Sequence, residues 1–413
     1  MTIRRLDREQ TRKLADGLAA AAVAAIPWST SAIYIFVVAW LIVFVPTIRA
    51  DEFRAVLRHP AAWLPVALVA LAAVGMLWAD VPWAERSSAL SAFVKLLTIP
   101  ILLIQFRDSD RVHWILLAFL GSCAALLFVS YAGIAVGYRF KSFGVPVRDY
   151  IAQSGEFILC AAGLFYVATA YWSQRRIGLM LGILALAALF LLNVFYVSAG
   201  RTALVTVPLL FILFAMTQCR LAQSLALLAS IVVVCGIVWV SSSYVQERLL
   251  GIYTEIQTHG LNGKPTSSGQ RVEFWRQSLA IIEQAPVAGH GTGTVRAKFV
   301  EAAAAEKSKD APTVNPHNQT FMVAIQLGFL GVLALFAMWM AHLGLFLRGA
   351  GLVSWIGLAV VAQNVVGSLF NTHLFDVVQG WMYFFGVGAA GGWMLKQSRD
   401  MAEPAVAADK MPA

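Results

Sequence analysis

Three arginines stand where helices are predicted to begin. Arg86 and Arg201 each open an apolar segment, and Arg271 opens the amphipathic stretch "QRVEFWRQSLAIIEQ". The first turn of a helix presents free backbone N–H groups and a partial positive charge, so a guanidinium there completes a site for an anion. Because arginine binds phosphate oxygens through two parallel hydrogen bonds, the expected ligand is a phosphate or a diphosphate. The alternative for each arginine is contact with lipid headgroups or a salt bridge within a loop.

A lysine follows Arg86 within the same apolar segment. Residues at three- and four-residue spacing form one polar stripe on a helix, and this stripe consists of Ser88, Ser91, Lys95 and Thr98. An ionisable side chain at that depth usually faces the interior of a bundle or a water-filled cavity. We therefore expect Lys95 to help the arginines bind the anion, with snorkelling to the membrane surface as the alternative.

A histidine stands at the start of a long apolar segment, in "NPHNQTF", residues 315–321. Asn315 can cap a helix and Pro316 suits its first position, so His317 is predicted to lie in the first turn. The helix dipole there disfavours the imidazolium ion and lowers the pKa, and a neutral histidine can act as a general base. A bound diphosphate would shift the pKa in the opposite direction. The alternative is a structural histidine bonded to the loop backbone.

A glycine-rich loop, "PVAGHGTGT", precedes that segment. Its glycines, Gly289, Gly291 and Gly293, could form a backbone nest for an anion, although a plain turn explains the same pattern. The chain has no HExxH, GxxxxGK[ST], EF-hand or GxSxG motif, and its seven histidines show no metal-ligand spacing. We therefore expect neither a metal nor a cofactor.

The composition is that of a membrane protein. Of the 413 residues 59% are hydrophobic and only 13% charged, whereas soluble domains carry about 25% charged residues. The net charge of +9 is explained by positive residues on cytoplasmic loops, and without a dense basic tract or an aromatic-interleaved basic patch we expect no nucleic-acid partner. The four cysteines form no CxxC pair, which favours packing over disulfides.

Apolar runs predict an all-α, polytopic bundle of about 12 transmembrane helices. The first two runs are separated by Pro27 and Trp28, and they could instead form one broken hairpin. The predicted spans lie near 13–28, 29–47, 61–78, 87–105, 112–136, 150–171, 177–197, 202–217, 221–242, 317–347, 352–370 and 377–396.

The loop charges predict the orientation. Lysines and arginines are concentrated on the loops that share a face with the N-terminal run Arg4, Arg5, Arg8, Arg12 and Lys13, so both termini are expected in the cytoplasm. Because many apolar segments follow the first one, we interpret it as a retained helix and not a cleaved signal. The predicted division is transmembrane helices 1–9 in 1–242, a periplasmic helical loop domain in 243–316, transmembrane helices 10–12 in 317–396 and a cytoplasmic tail in 397–413.

The long loop is predicted to hold three helices. The first covers 243–259, the turn-rich "HGLNGKPTSSG" then breaks the chain, and "VRAKFVEAAAAEKSKD" forms the third. For the middle helix we expect a cap at Ser267 or Ser268. Its apolar stripe is predicted to consist of Val272, Trp275, Leu279 and Ile282.

Three motifs in this region resemble those of the bacterial O-antigen ligase superfamily, which also contains O-antigen polymerases and protein O-oligosaccharyltransferases. They are a Ser-Gly-Arg region followed by Trp, a Pro-x-x-Gly-x-Gly loop, and His-Asn followed by Gly-x-x-Gly. The extra residue Gln270 between Gly269 and Arg271 is a departure from the first motif. The matching residues are Ser268, Gly269, Arg271 and Trp275; Pro286, Gly289 and Gly291; and His317, Asn318, Gly328 and Gly331.

The resemblance implies a GT-C-like architecture in the bacterial inner membrane and metal-independent, inverting glycosyl transfer at its periplasmic face. The implied donor is a glycan on undecaprenyl diphosphate, and the implied acceptor is a sugar hydroxyl of the lipid A-core. The family points to Arg201 and to an aspartate before the last span, Asp376. We expect His317 to be the base, and the remaining assignments are Arg201, Arg271, Arg86 and Lys95 for the diphosphate and Asn318, Gly289, Gly291, Trp275 and Asp376 in support.

Two other enzymes and one other class of protein remain open. Polymerases tend to have two large outer loops and protein-directed transferases often have a further C-terminal soluble region, whereas this chain has one large loop and a short tail. A transporter or flippase of the lipid-linked glycan would favour paired inverted repeats, which the sequence does not display. The oligomeric state is not predicted.

Overall fold

The computed structural model describes residues 7–140, 142–198, 200–259, 266–306 and 313–409, with the side chains of 305, 306 and 402–409 left aside. Regular structure in these ranges is helical, apart from two isolated bridges within residues 139–145. The helices are α1 (Arg8–Ala25), α2 (Thr30–Phe44), α3 (Ala50–Leu57), α4 (Pro60–Gly75), α5 (Trp83–Val94), α6 (Thr98–Asp108), α7 (Val112–Ala135), α8 (Tyr150–Ser173), α9 (Ile177–Tyr196), α10 (Arg201–Gln218), α11 (Leu221–Ser241), α12 (Ser243–Thr258), α13 (Ser267–Gln284), α14 (Val295–Glu306), α15 (Gln319–Leu347), α16 (Gly351–Ser368) and α17 (Val377–Asp409).

Most of these helices can cross a membrane. Within the described ranges, 9 are long and apolar enough to do so, and the pair α3 and α4, bent by 90°, would make a tenth. The prediction of an all-α, multi-pass membrane protein is confirmed. The remaining predicted segments, α1 and α17, are helical as well, and they pack within the bundle against α2 and α6 respectively. α17 runs past the predicted end of its span to Asp409.

One end of the bundle, which we call the termini end, is held by ion pairs between the first and last helices. Glu52 accepts hydrogen bonds from Arg8 and Arg12. Asp108 pairs with Arg12 from α1 and with Arg399 from α17, both at 3.0 Å. Because α1, α3, α6 and α17 share these pairs, both ends of the described chain lie on the same side. Arg4 and Arg5 of the basic run lie outside the described residues.

The opposite end, which we call the loop end, carries α12, α13 and α14. The side of α13 that is buried differs from the predicted one, because Val272 is 47% and Leu279 52% exposed, whereas Phe274 and Ile281 are buried. Phe274 and Ile281 pack with residues of α14 and α15, so tertiary contacts decide between two apolar faces of similar periodicity. Residues 260–265 of the predicted break and 307–310 of the predicted third helix lie outside the described ranges.

The cap of α13 is also one residue earlier than predicted. Thr266, and neither Ser267 nor Ser268, accepts a hydrogen bond through its side chain from the N–H of Gly269, at 3.3 Å. Ser268 therefore lies inside the first turn, where its hydroxyl is available for contacts with other helices.

The glycine-rich loop repairs a break in α15. At Gly328 the backbone has φ 59° and ψ −155°, a conformation that interrupts the helical hydrogen bonds. The carbonyls of Ile325 and Gln326 accept from the N–H groups of His290 and Gly291, both at 2.9 Å. The N–H groups of Phe329 and Leu330 donate to the carbonyls of residues 286 and 287. Since unpaired backbone groups are costly inside a membrane protein, the loop supplies the partners that the break requires.

The same loop is bound to α4 and to α5. Thr292 donates through its N–H to the carbonyl of Gly75, at 3.0 Å, and through its hydroxyl to that of Ala72, at 2.6 Å. A Cβ on Gly291 would lie 2.5 Å from the backbone of Ala79. Because the N–H groups from His290 to Gly293 are all bonded to protein, the loop glycines serve close backbone packing, and the anion nest that the sequence suggested is not formed.

We predict that Gly328→Ala destabilises the protein by at least about 2 kcal/mol, because only glycine readily adopts this conformation and a Cβ would lie 2.4 Å from the backbone of Val287. The measurement is thermal unfolding of the purified protein in detergent. The matched control is Gly344→Ala in the same helix, where a Cβ meets no atom within 4 Å. Equal melting temperatures for the two variants would contradict this account of the loop.

Candidate active site

His317 lies just before α15 and not in its first turn. Asn318, in extended conformation, is the cap, and its side-chain oxygen accepts from the N–H of Phe321 at 3.1 Å. Asn315 instead binds the N–H of His317, at 2.8 Å, and holds this residue at φ 51°. A left-handed conformation is unusual for a residue other than glycine, and such residues cluster at functional sites. The position of the cap in the sequence prediction was therefore wrong by three residues.

An asparagine from the turn between α16 and α17 orients the imidazole. The side-chain oxygen of Asn371 lies 3.0 Å from Nδ1 of His317 and also accepts from the amide of Asn315, at 3.1 Å. Because an amide oxygen can only accept, Nδ1 carries the proton and Nε2 presents its lone pair. The amide nitrogen of Asn371 donates in turn to Asp376, at 2.8 Å. Phe274 stacks on the imidazole with 6.3 Å between ring centroids and an interplanar angle of 18°.

The surroundings of His317 favour its neutral form. Burial lowers its pKa, the hydrogen bond to Asn371 raises the pKa, and the positive charge of Arg271 lowers it further, so that the pKa lies below the ordinary value. Asp376 behaves differently from a surface carboxylate. Burial and the charge of Asp149 raise its pKa to about 6, against the opposing effect of Lys95.

Arg201 and Arg271 come together at the loop end, but their bonding differs. Arg201 donates to the carboxylate of Glu255 at 2.5 Å, to the hydroxyl of Ser268 at 2.7 Å and to the carbonyl of Arg248 at 3.3 Å. The guanidinium of Arg271 donates no hydrogen bond to any described residue. Burial lowers the pKa of Arg271, and the charge of Arg201 lowers it further. Arg271 is thus a half-buried cation with its donors available to an anion.

The two other predicted cations have partners elsewhere. Arg86 donates to the carbonyls of Val81 and Met76, each at 2.7 Å, and lies over the ring of Trp83. It therefore fastens the turn between α4 and α5, and no contact in the described chain joins it to Arg201 or Arg271. Arg86 is thereby brought beside the glycine loop, because a Cβ on Gly293 would lie 3.0 Å from its backbone.

Lys95 lies at the junction of α5 and α6, where a short 3-10 turn interrupts the helix. Its Nζ donates to the carbonyl of Phe375 at 3.0 Å, and its charge acts on the neighbouring Asp376. Lys95 therefore supports the turn that carries Asn371, so its connection to His317 runs through Asp376 and Asn371.

The supporting residues have mostly structural contacts. Asn318 caps α15 and donates to the carbonyl of Leu369, at 3.1 Å. Trp275 meets Phe321 edge to face, which joins α13 to α15. Gly289 packs against the backbone of Gln326, where a Cβ would lie at 2.4 Å.

Sequence reasoning missed Asn371, Glu255 and His373. His373 is buried, and burial together with the charge of Arg271 lowers its pKa to about 4. The polar run "NTHLFD" between two apolar segments was the available signal for Asn371 and His373. Glu255 gave no such signal, because a glutamate on an amphipathic loop helix is ordinarily exposed.

An apolar cavity lies beside Arg201. It has a volume of about 650 Å³ and is lined by residues of α8 to α12, including Leu204, Pro208, Val234 and Trp239. Leu204 is one turn along α10 from Arg201, and Leu249 in the wall follows Arg248, whose carbonyl binds Arg201. The cavity therefore joins an apolar space to a cationic group, which suits an amphiphilic anion.

We predict that Arg271→Gln raises the pKa of His317, because a neighbouring positive charge disfavours the imidazolium ion. The measurement is a pH titration of the protein labelled with 13C-histidine, followed by NMR, with the His317 signal assigned from its absence in His317→Asn. Arg276→Gln, on the same helix and paired with Glu273, is the matched control and should leave the titration unchanged. An unshifted His317 signal in Arg271→Gln would show that the two groups do not interact.

Comparison with known proteins agrees with the motifs. Residues 186–336 match the family described as O-antigen ligase. The matched region runs from α9 into α15, so it contains Arg201, Arg271, His317 and the glycine loop, whereas Lys95, Asn371 and Asp376 lie outside it. No curated protein matches the chain. The predicted resemblance is confirmed, and the chain is an O-antigen ligase-family protein by virtue of this domain.

Proposed function

We propose that this protein is an O-antigen ligase that completes lipopolysaccharide. It transfers a glycan from undecaprenyl diphosphate to a sugar hydroxyl of the lipid A-core, at the periplasmic face of the bacterial inner membrane, with both termini in the cytoplasm. The observation that carries the proposal is the meeting of an unpaired guanidinium, Arg271, with an imidazole, His317, whose Nε2 is free to accept a proton.

The cations suit the leaving group. A lipid-linked diphosphate departs without a strong general acid, provided that the charge developing on its oxygens is stabilised. Arg271 supplies unused donors, and Arg201 has further N–H groups beside its bonds to Glu255 and Ser268. The apolar cavity below Arg201 is suited to hold part of the polyprenyl chain, which would bring the diphosphate to the arginines. Arg86 and Lys95 act in this proposal through the backbone that they fasten.

The imidazole suits the acceptor. A sugar hydroxyl is a poor nucleophile and gains from a base that removes its proton during attack. Nε2 of His317 accepts this proton, while Asn371 holds Nδ1 and so fixes the tautomer. Direct attack by the hydroxyl on the anomeric carbon, opposite the diphosphate, inverts the configuration. We expect no cofactor and no metal, so transfer should persist in the presence of EDTA.

The alternatives within the family use the same chemistry on another acceptor. An O-antigen polymerase would extend a lipid-linked glycan, and a protein O-oligosaccharyltransferase would modify a hydroxyl of a protein. Assays that offer each acceptor separate the three. A transporter or flippase of the lipid-linked glycan would relocate the donor and leave its glycosyl-phosphate bond intact.

We predict that His317→Asn lowers kcat for transfer from purified lipid-linked donor to lipid A-core by at least about 100-fold, the usual contribution of a general base. Asparagine tolerates a left-handed backbone, so this variant should fold. Arg271→Gln and Arg201→Gln should lower kcat/KM by at least about tenfold, because each removes a cation from the diphosphate. Arg276→Gln should behave as the wild type. Full activity of His317→Asn at normal protein level would remove this residue from the mechanism.

A second prediction concerns the residue that orients the base. Asn371→Ala should lower kcat by about tenfold or more with little change in KM, because the imidazole loses its fixed tautomer but the anion site remains. Asn364→Ala is the control, since neither amide atom of Asn364 has a hydrogen-bond partner among the described residues. A wild-type kcat for Asn371→Ala would mean that the tautomer is fixed in another way.

A further inference from the structure

Glu255 occupies Arg201 in the way that a phosphoryl group would. One carboxylate oxygen accepts from the guanidinium at 2.5 Å, and the other accepts from the N–H and the hydroxyl of Ser268, at 3.0 and 2.7 Å. The hydroxyl of Ser268 accepts in turn from Arg201. One of the two arginines of the site is therefore shared with an internal anion, whereas the other has none.

Glu255 can compete with a ligand because it lies at the edge of the site. Its side chain is 29% exposed, and it belongs to α12, which is bonded to the start of α13 through Thr266 and Ser268. The hydrogen bonds from Arg201 hold the pKa of Glu255 at about 2, so the carboxylate is ionised at every pH at which the protein works. An anion approaching Arg201 meets this negative charge.

The reaction changes the charge of its ligand, on the basis of the proposed function. In the donor each phosphorus carries one ionised oxygen, which gives a charge of about 2−. Transfer breaks the bond between the anomeric carbon and the phosphate oxygen, and the electron pair stays on that oxygen. The acceptor hydroxyl forms the new glycosidic bond and releases its proton. The product is a diphosphate monoester whose terminal phosphate has a second ionisation near pH 6, so its charge at neutral pH is close to 3−.

We propose that Glu255 promotes release of the polyprenyl diphosphate product by competing with it for Arg201. The additional negative charge, created when the glycosyl-phosphate bond breaks, is repelled by the carboxylate, whereas the donor is repelled less. Glu255 acts through Arg201 and Ser268 and touches neither reacting atom, so it is a positioning residue for product release. Arg271, without a competing carboxylate, retains its contact with both ligands.

The magnitude is set by one additional unit charge. Two charges about 6 Å apart at an intermediate dielectric interact strongly enough to change an equilibrium by about tenfold. Removing the charge of Glu255 should therefore tighten binding of the product about tenfold more than it tightens binding of the donor.

The experiment measures binding of two synthetic ligands to the full chain in detergent, by calorimetry, at pH 7.5. Farnesyl diphosphate represents the product, and a farnesyl diphosphate ester of N-acetylglucosamine represents the donor. We expect Glu255→Gln to raise the affinity ratio of product to donor by about tenfold, and Glu255→Asp, which keeps the charge, to restore the wild-type ratio. Glu273→Gln removes a carboxylate that pairs with Arg276 on α13, and it is the matched control.

Titration separates charge from shape. Below about pH 6 the product carries one charge fewer, so the difference between wild type and Glu255→Gln should disappear, which a purely structural role would not produce. An unchanged ratio in Glu255→Gln, or a ratio in Glu255→Asp equal to that of Glu255→Gln, would overturn the inference. Failure of both ligands to bind the wild type would instead contradict the proposed function.

Discussion

The break of α15 at Gly328 is the constraint on which the arrangement of the loop end depends. A membrane-embedded helix cannot leave backbone groups unpaired, so the interruption requires another segment of backbone at hydrogen-bonding distance. The glycine loop between α13 and α14 meets this requirement, and its glycines allow the approach because a Cβ at Gly289 or Gly328 would collide with backbone. The loop in turn binds α4 through Thr292. The segments before and after it are thereby fixed to the bundle, and these segments carry Arg271 and precede His317.

The two ends of the bundle use charge differently. At the termini end, Arg12 and Arg399 share Asp108, and Lys396 pairs with Asp110, so cations there meet acidic partners. At the loop end Arg271 has none among the described residues, and Arg201 shares one carboxylate. Burial of unpaired positive charge costs free energy unless an anion compensates it. An arrangement of this kind is typical of a binding site, and its cost to stability is offset when the ligand is bound.

The histidine and the arginines are linked through the same elements. Phe274, one turn after Arg271 on α13, stacks on His317, and the charge of Arg271 lowers the pKa of that histidine. Asn371 fixes the tautomer from the opposite side, and Lys95 and Asp376 support the turn that carries it. A movement of α13 would therefore alter the anion site and the base together, which suits a reaction in which both groups act on one transition state.

The sequence by itself determined what depends on neighbouring residues. Apolar runs predicted the twelve helical segments, because crossing a membrane demands a continuous local pattern. Motif spacing identified the family and selected Arg201, Arg271 and His317. Tertiary structure decided which cations are free, which face of α13 is buried and where α15 begins. It assigned Arg86 and Lys95 to backbone carbonyls, and it brought Asn371 to His317 and Glu255 to Arg201, each across 54 residues of chain. The physical reason is that periodicity and propensity act over one or two turns, whereas a hydrogen-bond partner is chosen by proximity in space, which the chain sequence does not display.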